Sequence, residues 1–265
     1  MLKSPRQSLG IKYGRKVINL IVLVMSIFPR SWLVVLMNAL SKSLNLSAVG
    51  YIGEHGEFIG SPYDRHTIGK YIEAGTYSQE IVYSLIEYFN KTSGTFIDIG
   101  ANIGLISIPL QNKGIRCICF EPDPNNFKFL KLNFEIANNA VPYDIYMTAL
   151  YDKEGEMQLE LSPTNSGDYR IRNEQNHTEP DLYDENLRLI ETINTERLDD
   201  IIRLDDIERP LLIKIDAQGA EVAILHGGLN TLSSADALLF EFSTYLIRRQ
   251  YFDETELAKF IIEYF

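Results

Sequence analysis

Hydrophobic and polar positions change rhythm several times along the 265 residues. Two apolar runs come first, "VINLIVLVMSIF" (17–28) and "WLVVLMNAL" (32–40), separated by Pro29 and Arg30. Neither alone reaches the roughly 20 residues that span a bilayer. From residue 76 the pattern becomes periodic: "TYSQEIVYSLIEYFN" sets Ile81, Val82, Leu85, Ile86 and Phe89 on one face and predicts a helix entering the domain. Short apolar runs then read as strands: "TFIDIG" (95–100), "RCICFEP" (116–122), "YDIYMTAL" (143–150), "LLIKIDA" (211–217) and "ALLFEFS" (237–243). "NNFKFLKLNFEIAN" and "GAEVAILHGGLNTL" supply helices between them. Strands alternating with helices predict an α/β fold with a doubly wound parallel sheet. Between the third and fourth strands, residues 151–200 are rich in Asn, Asp, Glu and Pro and too polar for a core element. They read as an excursion above the sheet, with "GEMQLEL" and "INTERLD" as extra strands.

Composition adds two things to this picture. Hydrophobic content of 45% with 23% charged residues is that of a folded chain, and the length suits one large domain or a domain with an appendage. The charge is uneven: residues 1–53 hold Lys3, Arg6, Lys12, Arg15, Lys16, Arg30 and Lys42 with no acid, so the total of −11 leaves −18 for the rest. The chain therefore divides into a basic, hydrophobic arm (1–53) and an acidic body (54–265). An acidic body without a basic stripe excludes nucleic acid as the main partner. The arm has three readings: a helical hairpin packed on the body or a membrane surface, an uncleaved anchor or signal sequence, or a buried structural helix. Cys117 and Cys119 alternate onto one face of a strand, which suits core thiols in a reducing compartment. The expected location is cytoplasmic, with membrane association through residues 1–45.

Ligands of open α/β sheets bind outside the carboxyl ends of the strands, where the strand order reverses. "FIDIGANIG" (96–104) is the first strand-to-helix loop. Gly100 and Gly104 allow a tight turn, Ala101 is small and Asn102 offers an amide. The spacing is not G-x-G-x-x-G and the loop holds no Lys or Arg, so phosphates are poorly served. Glu121 ends the second strand 23 residues after Asp98, where a carboxylate accepts both hydroxyls of a ribose. Together these ask for a nucleoside with positive charge and no phosphate, which describes S-adenosylmethionine.

Four blocks in order carry a family resemblance: "FIDIGANIG", "FEPDPNNFKFLKLN", "TERLDD" and "IKIDAQGAEVAILHG". The chain resembles the FkbM-type S-adenosylmethionine-dependent methyltransferases over about residues 64 to 263. The resemblance implies a class I, Rossmann-like methyltransferase fold and O-methyl transfer onto hydroxyls of sugars, glycans, glycolipids or related natural products. It puts cofactor binding on Asp98, Gly100, Ala101, Asn102, Gly104, Glu121, Pro122 and Ala149. Two departures stand out. Gln218 occupies a position where the family usually has Glu, and the chain stops at Phe265 in the helix after the fifth strand, so the sheet is expected to lack its last hairpin.

A hydroxyl acceptor gains from a carboxylate that takes its proton as attack proceeds. Asp216, at the end of the fourth strand, is the first candidate and Glu241, at the same place on the fifth, the second; a helix-capping role for Asp216 is the structural alternative. Asn165 and Asp168 in "SPTNSGDYR" are expected to bind a polar acceptor. His66, His177 and His226 read as surface or structural residues, and no spacing recommends a metal. Two other functions remain open: a nicotinamide-dependent oxidoreductase on the same sheet, and a non-catalytic relative.

Overall fold

The computed structural model describes residues 30–90, 93–172 and 187–265. The basic start, the first apolar run and His177 lie outside the described residues. The second apolar run forms helix α1 (Arg30–Leu44), followed by a hairpin of β1 (Val49–Gly53) and β2 (Gly56–Gly60). Leu33 of α1 and Phe58 of β2 are buried in the same cluster as the main sheet, so the division drawn at 53/54 falls in the turn of a hairpin that packs as one piece. Helix α2 (Ile68–Ala74) and helix α3 (Gln79–Phe89) complete the approach to the sheet. Of the face expected of α3, Val82, Leu85 and Phe89 are turned inward and Ile86 is partly buried, while Ile81 is exposed.

The chain then alternates through β3 (Thr95–Ile99), α4 (Ser107–Gln111), β4 (Arg116–Phe120), α5 (Pro124–Ala137) and β5 (Tyr143–Tyr146). Asp123 caps α5 by accepting the Asn126 N–H at 2.7 Å, with Pro124 at the first helical position, the arrangement that starts a helix most cheaply. The run 143–150 is not one strand. It breaks after Tyr146, and β6 (Ala149–Leu150) joins a second sheet with β7 (Gly155–Leu161), β8 (Arg170–Ile171) and β9 (Leu189–Glu196) in the order β6-β9-β7-β8. The polar excursion is therefore a folded layer. Leu159, Leu161, Ile171 and Ile193 enter the core from it, because alternation along β7 and β9 puts polar residues on one face and apolar ones on the other. The strand expected in "INTERLD" ends at Glu196, and Leu198–Ile201 is a short helix, α6.

The last segment runs β10 (Leu211–Ile215), α7 (Glu221–Gly227), α8 (Leu229–Ser233), β11 (Ala237–Phe240), α9 (Thr244–Arg249) and α10 (Thr255–Tyr264). The helix expected over "GAEVAILHGGLNTL" is thus two, parted at Gly228. The main sheet has five parallel strands in the order β11-β10-β3-β4-β5. One face, with Ile97, Ile99, Ile118, Phe120, Ile213 and Ile215, packs on α7 and the second sheet. The other, with Phe96, Cys117, Cys119 and Leu212, packs on α2 to α5 and the hairpin. Both cysteines are free and buried.

Candidate functional site

Strand order reverses between β3 and β10, and a cleft of about 930 Å³, open to solvent, lies beyond their carboxyl ends. Two loops form its floor. The loop after β3 turns at Gly100, whose φ is +79° and where an added Cβ would sit 2.0 Å from the Asp216 carbonyl oxygen; only glycine lets the β3 and β10 loops touch. Asn102 (φ +52°) and Gln218 (φ +52°) both hold the left-handed region, one on each side of the cleft, a backbone conformation that surrounding contacts must enforce.

For Asn102 those contacts centre on Glu121. Its Oε2 accepts the Asn102 N–H at 2.8 Å and its Oε1 accepts the Asp123 N–H at 3.0 Å, with the Asn126 amide at 3.4 Å. Burial pushes the Glu121 carboxyl up to about 8, against the pull of these donors. Asp98 and Lys214 meet across the switch point: Lys214 Nζ lies 2.8 Å from Asp98 Oδ1 and 3.3 Å from the Gly100 carbonyl, while Ser107 donates to Asp98 Oδ2. Burial lowers the Lys214 ammonium, but the carboxylates of Asp98 and Asp216 more than offset it and hold it above its ordinary value.

Across the cleft Asp216 is 40% exposed at its side chain. Gln218 donates from Nε2 to Asp216 Oδ1 at 2.8 Å and also to Glu241, so one amide ties the two carboxylates together. Burial, then the charge of Asp216, pushes Glu241 up to about 7, although its outer side is open to water. Asp216 does not cap α7. The N-cap is Ala220, which makes no side-chain capping bond, and buried Glu221 in the first turn accepts the N–H groups of Ala217 at 3.1 Å and Gly219 at 3.2 Å, tying down the loop that leads into the helix. Tyr77 closes this end, its phenol pushed up to about 12 by burial and then by Asp216.

Of the residues singled out from sequence, Asp98, Gly100, Ala101, Asn102, Glu121, Pro122, Ala149 and Asp216 line the cleft. Gly104 turns the same loop at φ +87°, against Ile108 and Leu130, and Glu241 reaches the rim through Gln218. Asn165 and Asp168 do not line it. Asp168 is held by Arg170 at 3.1 Å and by Arg188, and Asn165 folds its carbonyl onto the Gly167 N–H at 3.0 Å. Their neighbour Ser166 faces the cleft instead, accepting Asn102 Nδ2 at its carbonyl (2.9 Å) and donating to Asp64, which also receives Thr67. Lys214, Thr67, Tyr77, Ser166 and Tyr169 are lining residues that sequence reasoning passed over. Of these only Lys214 carried a signal, as a lone charge inside an apolar strand.

The lining suits S-adenosylmethionine. Ile99, Leu105, Phe120 and Leu150 give apolar walls for a base, Glu121 stands at a strand end for a ribose, and the one lining cation among the described residues, Lys214, is already bound to Asp98, so pyrophosphate has no free partner. Comparison with known proteins agrees with that chemistry. The model of the methyltransferase FkbM domain matches residues 98–265. Hexuronic acid methyltransferase AglP of Haloferax volcanii is 26% identical over 164 residues, covering 62% of this chain and 61% of that protein. The 2-O-methyltransferase NoeI of Sinorhizobium fredii is 27% identical over 186 residues, covering 65% and 72%, and Methyltransferase 1 of Beauveria bassiana 24% over 142, covering 49% and 57%. The chain thus spans less than two thirds of the length of the first and third of these relatives. With more than half of its residues under the domain model, the glycine-turned loop and its buried acid included, the chain belongs to the FkbM methyltransferase family.

Proposed function

We propose that the chain transfers a methyl group from S-adenosylmethionine to a hydroxyl of a sugar, glycan, glycolipid or related natural product. The observation that carries this reading is the pairing of a phosphate-poor, glycine-turned loop with a buried strand-end carboxylate, Glu121, at the switch point of the sheet. The O-methylating name of NoeI supports a hydroxyl as the acceptor group, while the name of AglP supports a sugar without deciding whether it is neutral or acidic.

Asp98, Gly100, Ala101, Asn102, Glu121, Pro122 and Ala149 would hold the cofactor, with Gly104 shaping the loop beneath. When bound, S-adenosylmethionine supplies a methyl on a sulfonium, open to in-line attack. Most of the work left to the protein is positioning. Glu121 locks Asn102 and the loop in the conformation the cleft needs, and the Asp98–Lys214 pair fixes β3 against β10. Asp216 accepts the acceptor's hydroxyl proton as the oxygen attacks, with Glu241 sharing the charge through Gln218. Calorimetry tests the cofactor directly: S-adenosylmethionine or its demethylated product is expected to bind in the micromolar range and NAD not at all. Equal binding of NAD, or none of either, would overturn the reading.

We also propose that residues 1–45 rest on an anionic membrane surface. No helix among the described residues is long and apolar enough to cross a membrane. On α1 Trp32 is 64% and Val35 69% exposed, and Lys42 stands in the last turn of the same helix; exposed Trp and apolar residues on a helix that also carries a basic residue suit the headgroup boundary.

A further inference from the structure

We propose that the rim made by Asp216, Gln218 and Glu241 selects an uncharged, hydroxyl-bearing acceptor and turns uronates away. The inference rests on the reading of this cleft as a methyl-transfer site and goes further, to the charge of the molecule it accepts.

Most of the donors at the rim are already committed. Asp216 N–H is given to the Ile99 carbonyl at 3.0 Å and Glu241 N–H to the Ile215 carbonyl at 2.9 Å. The N–H groups of Ala217 and Gly219 both go to Glu221. Gln218 Nε2 serves both Asp216 and Glu241, which leaves its amide able only to accept. The Lys214 ammonium is 7% exposed and bonded to Asp98. The Tyr77 hydroxyl, held protonated by burial, and the Gln218 backbone N–H are the neutral donors left at this end of the lining, and neither carries a charge to balance an anion.

Such a rim asks its ligand for donors. A sugar hydroxyl provides one, and the bond it gives to Asp216 also places its proton on the group that will take it. A carboxylate can only accept. A uronate brought here would add a negative charge beside two carboxylates, with no free cation among the described lining residues to meet it, and like charges at such range disfavour each other.

Matched acceptor pairs test this on the full chain: methyl glucoside against methyl glucuronide and methyl galactoside against methyl galacturonide, each with labelled S-adenosylmethionine. Binding of each sugar to the protein loaded with S-adenosylhomocysteine is followed in parallel by saturation-transfer NMR. The neutral member of a pair is expected to bind and to be methylated at least tenfold faster than its uronate. Glu241→Gln, by removing one negative charge from the rim, should narrow that ratio several-fold. A uronate handled as well as its neutral partner, a ratio indifferent to Glu241→Gln, or binding of neither sugar by protein that does bind S-adenosylmethionine would each overturn the inference. Failure of S-adenosylmethionine to bind would instead strike at the methyl-transfer reading beneath it.

Discussion

Glu121→Gln isolates the most strongly raised carboxyl among the described residues. Glu121 is 4% exposed and its carboxyl sits at about 8, raised by burial from an ordinary 4.5. The folded state therefore holds a proton that the unfolded chain has released between those two values. Where the folded state binds the extra proton, stability falls as pH rises. The slope for one group is about 1.4 kcal/mol per pH unit, so this residue alone removes about 4 to 5 kcal/mol from pH 4.5 to 8. Glutamine keeps the shape and cannot titrate. It also leaves one backbone donor, Asn102 or Asp123 N–H, facing an NH₂ group, a fixed loss of about 1 to 3 kcal/mol at every pH. Subtraction separates the two effects. Chemical unfolding of wild type and variant at pH 5, 6, 7 and 8 should give a difference whose slope is near 1.4 kcal/mol per unit and turns in favour of the variant as pH rises. Parallel curves would refute the reasoning, since they would mean that Glu121 is ionised throughout the range.

Three shorter expectations follow from the same geometry. Asp216→Asn keeps an acceptor for Gln218 and leaves the bonds of Glu221 to the loop before α7 untouched, so melting temperature and cofactor affinity should hold while turnover of a true acceptor falls by about 10²- to 10⁴-fold; near-wild-type turnover would move the proton to Glu241. Because Glu241 is raised to about 7 by burial and by Asp216, and the pair accepts a proton best when fully ionised, turnover should rise with pH through about 7. Glu241→Gln should erase that inflection, and a profile flat from pH 6 to 8 in the wild type would contradict it. Cosedimentation with vesicles containing anionic lipid should be lost when residues 1–29 are deleted; equal binding with and without them would end the membrane proposal.

The positions of the five main strands and the glycine-turned loop at the cleft were legible because each is a local signal: a short apolar run, a breaker, then a 3.6-residue period. The break at Tyr146 was not. Met147 is half exposed and Thr148 bonds the Asn194 carbonyl at 3.2 Å, so the end of that run is decided by a strand 40 residues downstream that local pattern does not reveal. Two strands of the second sheet were legible, "GEMQLEL" being β7 and "INTERLD" overlapping the end of β9, but that they pair into a sheet of their own was not, because pairing joins residues far apart in the chain. Asn165 and Asp168 were drawn from the right loop, but Arg188, 20 residues on, takes Asp168, and Ser166 is the one turned to the cleft. The alternative of a capping Asp216 turned on where the helix begins: its N-cap is Ala220, four residues on, and the Asp216 carboxylate bonds Gln218 instead.

The pair Lys214–Asp98 has a consequence for how the chain is assembled. Its members are 116 residues apart and directly opposite in the β10–β3 register, so β3 leaves the ribosome well before the strand it must meet. Sheets are exposed to slippage, and a shift of one residue turns every side chain of the incoming strand to the opposite face. A misplaced β10 would drive the Lys214 ammonium into the layer of Ile97, Ile99 and Ile118, where no carboxylate waits and an unpaired charge costs several kcal/mol. An all-apolar strand would forgive that error. The buried lysine makes late docking all-or-none, and in doing so it ensures that the loops after β3 and β10 arrive level with each other, which is the condition for there being a cleft at all.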